Sequence, residues 1–138
     1  MTKLAFDLEI GTMTLFCEAS GAGPAAQEAV AWVLRNRRDS GRWGHTLAEV
    51  CLHRMQFSEW NADPADNRNL LRAAACPDSD PTMVGCKQVL ESVLASDGPD
   101  PTHGALFYFD HSIPPPAWAQ GLPPLLVLGP FSFFRDVR

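Results

Sequence analysis

From residue 24 to residue 37 apolar side chains return every three or four positions. Ala26, Ala29, Val30, Val33 and Leu34 share one face, and Arg37 continues it. That spacing predicts an amphipathic helix. Gly23-Pro24 opens it, because proline at the first helical position gives up only an N–H that would have no partner there. A second face, formed by Met83, Val84, Lys87, Leu90, Val93 and Leu94, predicts a helix started by Asp80-Pro81 and stopped by Asp97-Gly98-Pro99, with a lysine whose stem can lie along apolar surface. Thr46-Leu47-Ala48-Glu49 has the form of a capping box and predicts a short helix finished by Cys51 to His53; Asp63-Pro64 repeats the signal of an N-cap followed by proline.

The pattern changes at two places. In "LFCEASGAGPAAQEAV", residues 15–30, an apolar run reaches Glu18 and then gives way to alanine, serine and glycine, where a helix loses its hold. Beyond residue 100, "ALFYFD" and "LLVLGPFSFF" are short aromatic and β-branched runs that predict strands, with "IPPPAW" as a stiff connector between them. On an alternating strand Tyr108 faces away from Phe107 and Phe109, so one side is core and the other is open to a cleft.

With 138 residues, 46% of them hydrophobic, the chain is long enough for one domain with a full core, here taken as residues 1–138. Its formal charge of −5 and the lack of any dense Lys/Arg block argue against nucleic acid as a partner. No stretch approaches the roughly 20 apolar residues of a membrane helix, and "MTKLAFDLEIG" carries acids where a signal peptide has its apolar centre, so a product made in the cytoplasm and not inserted in a membrane is expected. Cys17, Cys51, Cys76 and Cys86 show no CxxC spacing, and reduced thiols are the expectation.

Glu18 is the residue to which chemistry can be attached. A carboxyl at a seam of small residues has nothing bulky in front of it, and partial burial beside Leu15 and Phe16 favours its protonated form, as a general acid for glycosidic cleavage requires. The plainer alternative is a glutamate that merely occupies the end of an amphipathic helix.

"CEASGAGPAAQEAVAWVLRNR" is similar to the opening signature of the SleB-like cell wall hydrolases, in which a helix reaches a Glu-Ala pair, a glycine turn follows and the next helix ends in Asn-Arg, here Asn36-Arg37. "MQFSEWN" (55–61) resembles the family's Gln-Phe-Ser segment, "GALFYFD" (104–110) its Gly-Ala-Leu-x-Tyr strand, and "LGPFSFFR" (128–135) its closing segment, so the resemblance runs from about 13 to 135. Where the family usually continues Glu-Ala-Arg-Gly-Glu, this chain has Glu18-Ala19-Ser20-Gly21-Ala22.

The resemblance implies an α+β, mainly helical, lysozyme-like fold with a small C-terminal β element. It also implies cleavage of peptidoglycan glycan strands between N-acetylmuramic acid and N-acetylglucosamine, without a cofactor or metal. Glu18 takes the acid role. In the lytic transglycosylase version one carboxyl suffices, because the muramic acid 6-hydroxyl replaces water. A hydrolytic muramidase needs a second acid, for which Glu59, Asp63 and Asp110 are candidates; Glu59 and Asp63 lie in a polar stretch that points to solvated or capping roles. Gln56, Ser58 and Asn61 are candidates for hydrogen bonds to sugar groups, and Trp60, Phe57 and Tyr108 for flat faces against pyranose rings, with core packing the expectation for Phe57.

Three other readings stay open. Cys17 could be the nucleophile of an amidase or peptidase, with His45, His53, His103 or His111 as base, although its apolar run next to an acid favours an inert buried thiol. Cys51, His53, His103 and His111 could hold a metal, on spacings that match no known zinc pattern. A wall-binding virion protein that has lost its chemistry is the non-enzyme alternative. A wall-directed chain without an export signal is expected to reach the periplasm as a phage lysis enzyme (endolysin) released by a holin, or carried on the tail of a phage-like particle.

Overall fold

The computed structural model describes residues 2–53, 56–61 and 67–136. Five helices come first: α1 (Lys3–Ala19), α2 (Pro24–Ser40), α3 (Leu47–Leu52), α4 (Arg68–Ala75) and α5 (Pro81–Ala95). Three strands follow, β1 (Phe107–Asp110), β2 (Leu126–Leu128) and β3 (Phe131–Phe134), with short 3-10 turns at Ser58–Trp60 and Ala117–Ala119. The α+β, mainly helical architecture read from the sequence is the one observed.

Helix α1 lies at the centre and packs against α2, α3, α4 and α5. Its crossing with α5 is close enough to require Gly11, where a Cβ would come within 2.8 Å of Leu90 Cδ2. The apolar face read in α2 is buried as expected, with Ala29, Val30, Val33 and Leu34 fully enclosed. In α5, Met83, Leu90 and Val93 are buried whereas Val84 is exposed; Cys86 takes its place on the inner face. Asp80 caps α5 by accepting from the N–H groups of Thr82 and Met83. At α3 only half of the capping box forms: Thr46 Oγ1 accepts from Glu49 N, but the Glu49 carboxylate turns to His45 N instead of Thr46 N. The Asp63-Pro64 signal lies outside the described residues.

The sheet is antiparallel in the order β1-β3-β2. Leu128 pairs with Phe131 across a two-residue turn in which Gly129 has φ 56°, the left-handed conformation that the first position of a type II′ hairpin turn demands. β3 is the middle strand, and all four of its residues are buried. Alternation sorts its aromatics cleanly: Phe131 and Phe133 join Tyr108 on the helix side, while Phe134, Phe107, Phe109 and Trp118 form a cluster on the other. The opposition of Tyr108 to its neighbours is therefore as expected, and Tyr108 is on the side of the main core.

Candidate active site

The last turn of α1 carries Glu18 to the rim of the helical core. It is held there from beneath. Helix ends leave carbonyls without partners, and here Gln27, one turn into α2, donates its amide N–H to Ala19 O (3.2 Å) and Ser20 O (3.3 Å). The small residues of the seam let the buried Gln27 side chain reach that backbone, so the glycine-rich turn is pinned.

Two elements close on Glu18. From the sheet, Tyr108 donates its phenolic O–H to Glu18 Oε1. From the Ser58–Trp60 turn comes Glu59. Trp60 Nε1 donates to Thr14 Oγ1 at 2.8 Å, one helical turn before Glu18, and Asn67 Nδ2 donates to the carbonyls of Glu59 (2.7 Å) and Asn61 (2.8 Å). So anchored, the turn sets the Glu59 carboxyl in hydrogen-bond contact with that of Glu18.

Glu59 is 3% exposed, and its Oε1 finds no donor among the described residues. This overturns the solvated or capping role read from its polar neighbours: the anchoring of Trp60 to α1 turns Glu59 inward. Burial first, and the Glu18 carboxyl next, push Glu59 up to about 9, so it holds a proton at neutral pH. Burial and the same two acids raise Tyr108 well above the ordinary phenol value, keeping it a donor.

Behind Tyr108 lies Arg37, 5% exposed. Its Nε donates to Leu106 O (2.7 Å) and its Nη1 to Gln56 Oε1 (3.1 Å), and its guanidinium lies over the ring of Trp43, 4.4 Å from the centroid. Desolvation lowers its affinity for its proton, and the Tyr108 side chain acts the other way. An arginine on the apolar face of α2 was the visible signal of this buried cation. Glu59 offered no comparable one.

Of the residues singled out from sequence, the structure brings Glu18, Glu59 and Tyr108 together and holds Gln56 through Arg37. Ser58 is exposed; Trp60 and Asn61 are half-buried, with the Trp60 indole N–H engaged by Thr14. Phe57 is core, as expected. Asp110 ends β1 on the face of Tyr108 and accepts from Ser112 N (2.7 Å); Asp63 lies outside the described residues. A guanidinium stands against Ser20 despite the departure from the family signature: Arg72 of α4 donates to Ser20 Oγ (3.2 Å) and lies over Phe16.

The thiol readings find little support in this geometry. Burial, Glu59 and Glu18 push Cys17 up to about 12, the opposite of what a nucleophile needs. Cys51 is fully buried, His111 is engaged with Ser132 Oγ (2.7 Å), and among the described residues no three His, Cys, Asp or Glu side chains converge as metal ligands. A cavity of about 620 Å³ between α1, α4 and α5, lined by Leu8, Thr12, Met13, Met83 and Lys87 among others, contains none of Glu18, Glu59 and Tyr108.

A helical body bearing a carboxyl centre beneath a three-stranded sheet defines the class. The model of the cell wall hydrolase family matches residues 21–134, most of the chain, and the protein belongs to that family. The match opens just past Glu18. Two solved structures share the fold at a TM-score of 0.70 and 24% identity. The catalytic domain of the germination-specific lytic transglycosylase SleB from Bacillus anthracis aligns over 92% of this chain and 92% of its own, and the catalytic domain of the Bacillus cereus SleB protein over 92% and 88%. Among curated proteins none matches significantly.

Proposed function

We propose that this cell wall hydrolase cleaves the glycan strands of peptidoglycan between N-acetylmuramic acid and N-acetylglucosamine as a lytic transglycosylase, with Glu18 as the acid and then the base. The observation that carries the reading is the position of Glu18, half-buried at a seam of small residues, with a tyrosine donor on one oxygen. The relationship to SleB, a lytic transglycosylase by name, supports the same chemistry.

In this mechanism protonated Glu18 gives its proton to the glycosidic oxygen as the C1–O bond breaks and the electron pair leaves with that oxygen. The substrate's N-acetyl group stabilises the cation at C1. Glu18, now a carboxylate, takes the proton of the muramic acid 6-hydroxyl while O6 bonds to C1, giving a 1,6-anhydro end. Tyr108 orients the carboxyl throughout.

Hydrolysis calls for a second carboxyl across the sugar, about 5 Å or more from the first, so that ring or water fits between. Glu59 is paired with Glu18 and held protonated by burial and that carboxyl, so it is not the separate ionised carboxylate this role needs. Asp110 accepts from Ser112 N in the turn after β1, and the third candidate, Asp63, lies outside the described residues, so among the described residues no carboxyl is seen in that role. Transglycosylation is accordingly preferred. Mass spectrometry of muropeptides released from purified walls tests it: anhydro ends are expected, reducing muramic ends mean a muramidase, and free stem peptides an amidase. Glu18→Gln, nearly isosteric and unable to donate the proton, is expected to release nothing while remaining folded.

A further inference from the structure

Resting on the assignment of Glu18, the pairing of two carboxyl groups points further. Two carboxyls in hydrogen-bond contact inside a protein do not both stay ionised at rest; one proton between them turns repulsion into a charge-assisted hydrogen bond. The Glu59 side chain is buried, its Oε1 has no donor among the described residues, and its backbone is fixed by Asn67 and by the Trp60 anchor on α1. Among the described residues the other ionisable groups around the pair are Cys17 on α1, Cys51 on α3, Tyr108 on β1 and, further back, Arg37 on α2 and Arg72 on α4, the last beside Ser20 and Phe16. Both thiols and the phenol are held neutral by burial, so none competes for the proton.

We propose that Glu59 is a positioning residue that shares a single proton with Glu18 and thereby keeps the acid loaded at neutral and mildly alkaline pH. In the resting site Glu59 carries the proton and donates to the Glu18 carboxylate, which also accepts from Tyr108. When the glycosidic oxygen arrives, the proton crosses from Glu59 to Glu18 and on to the leaving oxygen. The pair is then doubly ionised, facing the cationic sugar. Deprotonation of the 6-hydroxyl by Glu18 restores the one proton, which returns to Glu59, so no external acid or base is consumed.

The test compares pH profiles of anhydro-product release for the parent, Glu59→Gln and Glu18→Gln on purified peptidoglycan, with circular dichroism as the check on folding. The amide introduced by Glu59→Gln keeps the shape and a hydrogen-bond donor but does not titrate. The alkaline limb of this variant is expected to move toward the ordinary carboxyl range, with kcat falling about tenfold per pH unit above the new limb while KM stays and acid-side activity is retained. A folded Glu59→Gln protein with the parental alkaline limb overturns the proposal. The function itself fails separately, if Glu18→Gln still releases anhydro ends. Carbon-13 NMR titration of the parent, labelled at glutamate carboxyls, decides the matter even if the variant does not fold: one carboxyl should keep its proton past neutrality, and completion of every glutamate titration in the acid range overturns the idea.

Discussion

Tyr108 and Glu18 lie 90 residues apart in the chain and meet in one hydrogen bond, the phenol donating to Oε1. The sheet and the first helix are therefore tied at the carboxyl proposed as the acid. Because burial keeps the phenol protonated far above neutrality, the bond persists over the working pH range. A hydrogen bond to a charged group contributes about 1.5–3 kcal/mol, so Tyr108→Phe is expected to lower kcat/KM by roughly 10- to 150-fold. Initial rates of product release on purified walls measure this. A folded variant with the parental rate would show that Glu18 needs no such support.

How far the chain could be read in advance differs from element to element. Helices α2 and α5 were legible because their apolar residues repeat with the helical period over three to four turns, and Asp80 signals its cap in plain form. The strands were legible from aromatic runs, and the opposition of Tyr108 to Phe107 and Phe109 follows from pleat alone, which does not say which side meets the helices. Helix α4 was not: "RNLLRAAA" buries only Ala73. Glu18 stood out as a carboxyl at a seam of small residues. Glu59 did not, because what turns it inward is a contact between Trp60 and Thr14, 46 residues apart, and no local pattern encodes such a pairing. Charged residues are rarely enclosed, so a polar stretch reads as surface until its tertiary partner is known.

The raised affinity of Glu59 for its proton makes a stability prediction with a definite sign. Between its ordinary value near 4.5 and about 9, the native state holds a proton that the unfolded chain has released. Stability therefore falls as pH rises through this window, by up to about 1.4 kcal/mol per pH unit for one proton. Urea unfolding at a series of pH values should show this decline in the parent. Glu59→Gln should flatten it and be the more stable protein at the alkaline end. Parallel curves for the two would mean that Glu59 is ionised in the fold.

Cys17 adjoins Glu18 in sequence, and its thiol is pushed up to about 12 by burial and by the two acids. At mildly alkaline pH it should react with iodoacetamide far more slowly than a free thiol, whose ordinary value is about 8.5. Cys17→Ser should leave product release within a few-fold of the parent. Complete loss of activity in a folded serine variant would instead favour a cysteine enzyme.

The last expectation concerns Arg37 and Gln56. Arg37 satisfies two carbonyl oxygens from one planar group, Leu106 O through Nε and Gln56 Oε1 through Nη1, while lying against Trp43. A lysine keeps the charge but has a single nitrogen on a flexible stem, so it cannot reach both acceptors in the same plane. One acceptor is then left buried without a donor, at a cost of about 1–3 kcal/mol. Arg37→Lys should lose about that much in urea unfolding. Gln56→Ala removes one acceptor and should cost about 1 kcal/mol, and the double variant should lose less than the sum, because the two side chains form one bond. If Gln56→Ala lowers activity and not stability, its amide serves the glycan directly. If stability falls as well and Arg37→Lys reproduces the loss of activity, Gln56 is held in place for the glycan by Arg37, and the buried cation of α2 supports the site through it.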